Sequence, residues 1–157
     1  MARLGAWLMA AIALAVVAAG TRAPAAAGFE RDELIVETAD GAHRFAVELA
    51  TTAEQRSQGL MFRPHLAADA GMLFVYPRER TITMWMKNTL IPLDMLFIAA
   101  DGRIIHIAER TIPKSMATIS SEGPARGVLE LNGGTAARLG IKPGDRVRYA
   151  AFAPPAD

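Results

Sequence analysis

The eleven residues Met84-Trp85-Met86-Lys87-Asn88-Thr89-Leu90-Ile91-Pro92-Leu93-Asp94 bring together a large aromatic, a cation, an amide, a hydroxyl and a carboxylate. An indole face is a stacking platform, and polar groups beside it fix the orientation of a bound molecule, which is how sites for sugars and other polar small molecules are made. Trp85, Lys87, Asn88, Thr89 and Asp94 are therefore the first candidates for ligand contact. Glu130 and Asn132, at the end of the apolar run Val128 to Leu131, are second-rank candidates, and Arg63 is a third, since a guanidinium can orient an anionic group. Asp94 or Glu130 has the chemistry of a general base, with Lys87 stabilising negative charge. Each residue also has a structural alternative. Trp85 can be a packed aromatic, Asn88 can close a turn, Arg63 can cap the helix before it, and an exposed Lys87–Asp94 ion pair is worth only ~0–1 kcal/mol.

Other chemistries find less support. The three histidines, His43, His65 and His106, are not at ligand spacing, and the chain has no cysteine, so no metal is expected. Ser57, Ser115, Ser120 and Ser121 lie outside any Gly-x-Ser-x-Gly pattern, which weakens a serine nucleophile. No phosphate loop or dinucleotide fingerprint occurs, and no cofactor is expected. Gly133-Gly134 at a strand-to-helix junction could leave backbone N–H groups free for an anion, although a tight entry into the helix is the simpler role.

The elements that position these residues follow from periodicity. An extended Thr81 to Lys87 puts Ile82, Met84 and Met86 on a core face and Thr83, Trp85 and Lys87 on the other. Asn88 and Thr89 then turn the chain, and Pro92 fixes φ before Asp94. Residues 33–37 and 43–49 read as strands joined by an Asp40-Gly41 hairpin. Thr51 or Thr52 caps a helix that Gly59 ends, and 64–70 is a loop. The pattern predicts a strand over 72–75, a turn over 76–80, a strand buried on both sides over 93–99 and, after Asp101-Gly102, a strand over 103–108. Residues 110–126 read as a long loop, 128–131 as a strand, and 135–139 as a helix capped by Asn132 or Thr135 and stopped by Gly140. Pro143-Gly144-Asp145 turns the chain into a last strand, 146–152. The expected fold is mostly β, at the margin of α+β: a single antiparallel sheet curled into a small barrel or barrel-like sandwich, with two helices too short to cross a parallel sheet.

Arg3, the uncharged apolar run from Ala6 to Ala19 and the small residues Ala25-Ala26-Ala27 form the pattern of a cleaved signal peptide over residues 1–27. The run is shorter than the ~20 residues that span a bilayer, so no stable membrane insertion is expected after cleavage. This leaves a single domain over 28–152, a flexible tail over 153–157, and a soluble periplasmic location, in which a chain without cysteine relies on its core rather than on disulfides. Residues 28–157 carry 15 Lys and Arg against 16 Asp and Glu, a formal charge of −1. Such a balance gives no long-range attraction for phosphate backbones or lipid head groups, and nucleic acid is not an expected partner.

Five motifs stand in fixed order: Gly59-Leu60-Met61-Phe62-Arg63, Gly71-Met72-Leu73-Phe74, Trp85 to Asp94, Leu129-Glu130-Leu131-Asn132-Gly133-Gly134, and Gly140-Ile141-Lys142-Pro143-Gly144-Asp145. In these the chain resembles, from about Glu33 to Tyr149, the bacterial and archaeal family called domain of unknown function 192. The resemblance implies a compact, mostly β, often exported domain and assigns no catalytic residue. The functional expectation is an exported accessory module of the cell envelope that binds a polar small molecule or an envelope component. The alternatives are an envelope hydrolase or transferase with a carboxylate base acting on a polar or sugar-containing substrate, and a structural domain that recruits a partner through a sheet edge.

Overall fold

The computed structural model describes residues 28–152; the signal peptide expected over 1–27 and the tail expected over 153–157 lie outside the described residues. The elements are β1 (Glu30–Thr38), β2 (Gly41–Ala50), α1 (Ala53–Gln58), β3 (Ala70–Met84), β4 (Leu93–Ile98), β5 (Ile104–Ala108), β6 (Ile119–Asn132), α2 (Thr135–Leu139) and β7 (Arg146–Arg148). All seven strands join one sheet in the order β5-β4-β6-β3-β2-β1-β7, which curls into a half-barrel, so the fold is mostly β with two short helices. The two edges meet at one end. Arg103 bridges Arg146, the Ile104 N–H donates to the Asp145 carbonyl at 2.8 Å, and the Val147 N–H donates to the Gly102 carbonyl at 2.8 Å.

One pairing departs from the antiparallel expectation: β2 and β3 run parallel, from Ala46–Ala70 to Ala50–Phe74. A parallel neighbour needs a crossover of a dozen or more residues. Helix α1 is too short to make it alone, but α1 together with the loop that follows is long enough. The expected turn over 76–80 is also absent. β3 continues through it as an outward arch, with Val75 opposite Gly127 and Arg80 opposite Ala125. The arch explains how Pro77, which lacks an N–H, sits inside a strand. Its far limb pairs with residues 119–125, so the second half of the expected loop over 110–126 is strand β6, patched where the Ser121 hydroxyl accepts from the Ile82 N–H at 3.0 Å.

Helix α1 starts at Thr52, whose hydroxyl accepts from the Gln55 N–H at 3.2 Å, while the Gln55 side chain accepts from the Thr52 N–H at 3.1 Å. That capping box satisfies donors that a six-residue helix cannot satisfy internally. Gly59 ends it at φ +48°.

The sheet carries apolar clusters on both faces. Leu34, Phe45, Leu73, Leu96, Leu129, Leu131 and Phe152 gather in the cluster that also holds Ala136 of α2. Leu60, Met72, Phe74, Ile82, Met84, Met86, Met95, Phe97 and Val128 gather in the other, which takes in the exit from α1. All six residues of β4 are buried, as its continuous apolar run predicts. Because β4 and β6 pair with Asp94 opposite Leu131 and Met95 opposite Glu130, and side chains alternate, the two acids fall on opposite faces.

Candidate functional site

Two carboxyl groups are buried in the sheet, and their surroundings differ sharply. Asp94 is fully buried and accepts from three backbone N–H groups, those of Arg110 at 2.8 Å, Gly134 at 2.9 Å and Ala136 at 2.8 Å. It caps α2 from a neighbouring strand. The cap expected from Asn132 or Thr135 is therefore supplied by a residue 40 positions away, because Gly134, at φ +91°, has no side chain with which to cap. The N–H groups of Gly133 and Gly134 go to the Pro92 carbonyl at 2.9 Å and to Asp94, in keeping with a tight entry into the helix and not with N–H groups left free. An anion does sit at this helix start, and it is the protein's own.

Glu130 is 4% exposed, and among the described residues no donor reaches its carboxylate. Burial alone pushes its pKa up to about 8, so the carboxyl is largely protonated at neutral pH. It opens on a cleft with about 90 Å³ of space, walled by the exit from α1 and by β3. Arg56, Met61, Tyr76, Thr83, Trp85 and Thr89 share the lining. The Arg56 guanidinium lies 4.9 Å above the Tyr76 ring and donates to the Val75 carbonyl at 3.0 Å, which fixes a cation over an aromatic wall. Burial raises the Tyr76 phenol above its ordinary value, Arg56 and Arg80 oppose that rise, and the nearby Glu130 adds to it.

The eight residues singled out from the sequence divide. Trp85, Thr89 and Glu130 meet at the cleft. The alternation of the Thr81 to Lys87 stretch is as expected, with Ile82, Met84 and Met86 buried, although the strand itself ends at Met84. Lys87 lies outside the cleft with its ammonium 5.0 Å from the Trp85 ring centroid, not paired with Asp94. Asn88 forms the turn: at φ +56° it lets the Thr89 N–H reach the Met86 carbonyl at 3.0 Å. Arg63 grips Glu48 with two hydrogen bonds, 2.7 and 2.6 Å, beside a separate cleft that also holds His65. The Asn132 amide donates to the carbonyls of Leu66 and Ala67, each at 3.0 Å, and ties down the loop before β3. Asp94, Arg63 and Asn132 are thus placed away from the Trp85 cleft, with structural partners of their own.

Arg56 and Tyr76 escaped the sequence reading. Arg56 lies in the short helix with no motif to mark it, and Tyr76 falls in the expected turn over 76–80. Only the arch of β3 brings them together with Glu130. Among the described residues no group of three or more His, Asp or Glu side chains is arranged to hold a metal ion.

The described residues thus form a mostly β half-barrel with a buried carboxyl, Glu130, at a cleft. The chain belongs to the domain of unknown function 192 family (DUF192, "Uncharacterized ACR, COG1430"), whose profile matches residues 35–149. It is similar to a proposed transcription regulator from Sinorhizobium meliloti 1021, with 48% identity and a TM-score of 0.78 over 81% of this chain and 99% of that one. It is also similar to a protein of unknown function from Novosphingobium aromaticivorans DSM 12444, with 42% identity and a TM-score of 0.77 over 82% of this chain and 94% of that one. No curated protein matches.

Proposed function

We propose that this protein is an exported binding module of the cell envelope that takes one end of a small polar molecule into the Glu130 cleft. The observation that carries the reading is a buried carboxyl, without a protein donor, facing a cleft that also presents Tyr76, Arg56 and the half-exposed face of Trp85. A protonated carboxyl both donates and accepts, so it pairs with a hydroxyl or an amide without placing a net charge in the sheet. The space holds a handful of water-sized groups, enough for the end of a sugar or an amino-acid-like ligand and too little for a whole one. Export rests on the signal-peptide pattern of residues 1–27. Intact-mass analysis finding residues 1–19 retained in a membrane pellet rules that part out. The regulator description of the Sinorhizobium relative finds little support here, since residues 28–152 hold 15 Lys and Arg against 15 Asp and Glu.

A second reading, an enzyme with Glu130 as general acid or base, is favoured by a pKa of about 8, close to where proton transfer is most effective. Both readings are tested by thermal-shift screening against sugars, peptidoglycan fragments, amino acids and nucleotides. A ligand at about 100 times its Kd stabilises by ~2.7 kcal/mol. Trp85 emission should shift with binding, and Trp85→Phe should weaken it. Glu130→Gln separates the readings: it keeps a donor and an acceptor, so binding survives, whereas any turnover of the same ligand is lost. Absence of a shift with every class overturns both.

A further inference from the structure

The five large apolar side chains left exposed among the described residues are Phe62 (69%), Trp85 (43%), Leu90 (40%), Ile112 (74%) and Met116 (59%), and all of them fall in three loops. Those loops follow α1, β3 and β5, and the backbone laces them into one surface. The Phe62 N–H donates to the Asn88 carbonyl at 2.9 Å, the Lys114 N–H to the Thr89 carbonyl at 3.0 Å, and the Met86 N–H to the Ser115 carbonyl at 3.1 Å. Each loop turns through a non-glycine residue in the left-handed region, Phe62 at φ +62°, Asn88 at φ +56° and Lys114 at φ +62°. Asparagine enters that region readily, but phenylalanine and lysine do so at a cost that their surroundings must offset, so the loops are held in these conformations by the bonds just named.

Cations outnumber acids on this surface, although the domain as a whole is balanced. Arg63, Lys87, Arg110 and Lys114 stand in the three loops against two acids, Asp69 and Glu109. Arg63 is occupied by Glu48, whereas Lys87 and Lys114 are exposed and have no carboxylate within ion-pair range among the described residues. Phe62, Leu90, Ile112 and Met116 line neither the Glu130 cleft nor the one beside Arg63 and His65, and present apolar tips to solvent. Aromatic and aliphatic tips interspersed with lysine are the composition that lodges at the boundary between lipid head groups and acyl chains.

We propose that this end of the half-barrel docks reversibly on an anionic lipid surface, with Phe62, Trp85, Leu90, Ile112 and Met116 entering the interface and Lys87 and Lys114 facing the head groups. The proposal does not depend on what the Glu130 cleft binds. A docked domain would present the Trp85 side of that cleft close to the membrane.

Residues 28–157 suit the test, because 1–27 carry an apolar run of their own and the Sinorhizobium relative, 99% of which matches, folds as this domain alone. The measurement is co-sedimentation with vesicles of phosphatidylglycerol and phosphatidylethanolamine, compared with vesicles of phosphatidylcholine, at two salt concentrations. Trp85, the one tryptophan of this stretch, reports insertion by a blue shift. Binding should favour the anionic vesicles, fall with salt and drop about fivefold for each of Lys87→Ala and Lys114→Ala. Ile112→Ser combined with Met116→Ser should cut it about tenfold or more while leaving the denaturation midpoint unchanged. No sedimentation with anionic vesicles, or sedimentation indifferent to the Ile112 and Met116 changes, overturns the proposal. So does a concentration-dependent dimer that those changes abolish in the absence of any vesicle binding, since a second copy then covers the surface.

Discussion

Glu130→Gln should abolish the pH dependence that this one carboxyl imposes on stability. In the unfolded chain a glutamate titrates near 4.5, while in the fold burial pushes Glu130 to about 8. Below pH 4.5 the group is protonated in both states and contributes nothing to the balance. Above it the unfolded chain releases a proton that the folded chain retains, so the native state loses about 1.4 kcal/mol for every further pH unit until Glu130 ionises in place. By pH 7 the loss attributable to this residue is about 3 kcal/mol, and above pH 8 it levels off near 5 kcal/mol as an upper bound.

Glutamine has nearly the same shape and hydrogen-bonding groups and cannot ionise. Urea denaturation at intervals from pH 4 to pH 9, followed by far-ultraviolet circular dichroism, should show the two proteins nearly equal at pH 4. The glutamine protein should become the more stable by a few kcal/mol at neutral pH and above. Other titrating groups are common to both proteins and cancel in the difference. A difference that stays flat across the range would mean that Glu130 ionises normally, and the account of Glu130 as a buried carboxyl without a donor would fail with it.

Asp94 should respond in the opposite way to the same chemical change. Asp94→Asn puts an NH2 group where one of three backbone N–H donors needs an acceptor, and should cost about 2–4 kcal/mol in urea at pH 7. Phe97→Ala empties a fully buried position and should cost about 3–5 kcal/mol, whereas Lys87→Ala should cost less than about 1 kcal/mol in the same experiment.

Much of the frame was legible because it depends on local periodicity. The faces of residues 82–87, the buried run of β4, the Asp40-Gly41 and Asp101-Gly102 hairpins and the Thr52 cap each follow from residues within a few positions of one another. What was not legible depends on pairing between distant segments. Residues 119–126, with two serines, a glycine and a proline, have weak strand propensity, and they become strand only because the far limb of the β3 arch supplies partners. The roles of Asp94 and Glu130 were hidden for the same reason. Both are single acids in apolar strands, and nothing within ten residues of either one tells which face it occupies or what waits there. Trp85, Thr89 and Glu130 were named as candidates, but the companions of Glu130 at the cleft, Arg56 and Tyr76, required the arch itself.

The contrast between the two acids is what separates a structural group from a functional one in this sheet. Asp94 recovers the cost of its burial through three charge-assisted hydrogen bonds, and its removal would leave a helix start uncapped. Glu130 recovers nothing from the fold, and its neighbours across the strands are Met72 and Met95. On stability alone a leucine or methionine there would serve better, joining the apolar cluster already formed by Phe74, Phe97 and Val128. A position at which local packing favours one residue while the chain carries another that weakens it is where function is most economically sought. Glu130 is such a position, and the cleft in front of it supplies the room in which its proton can be shared.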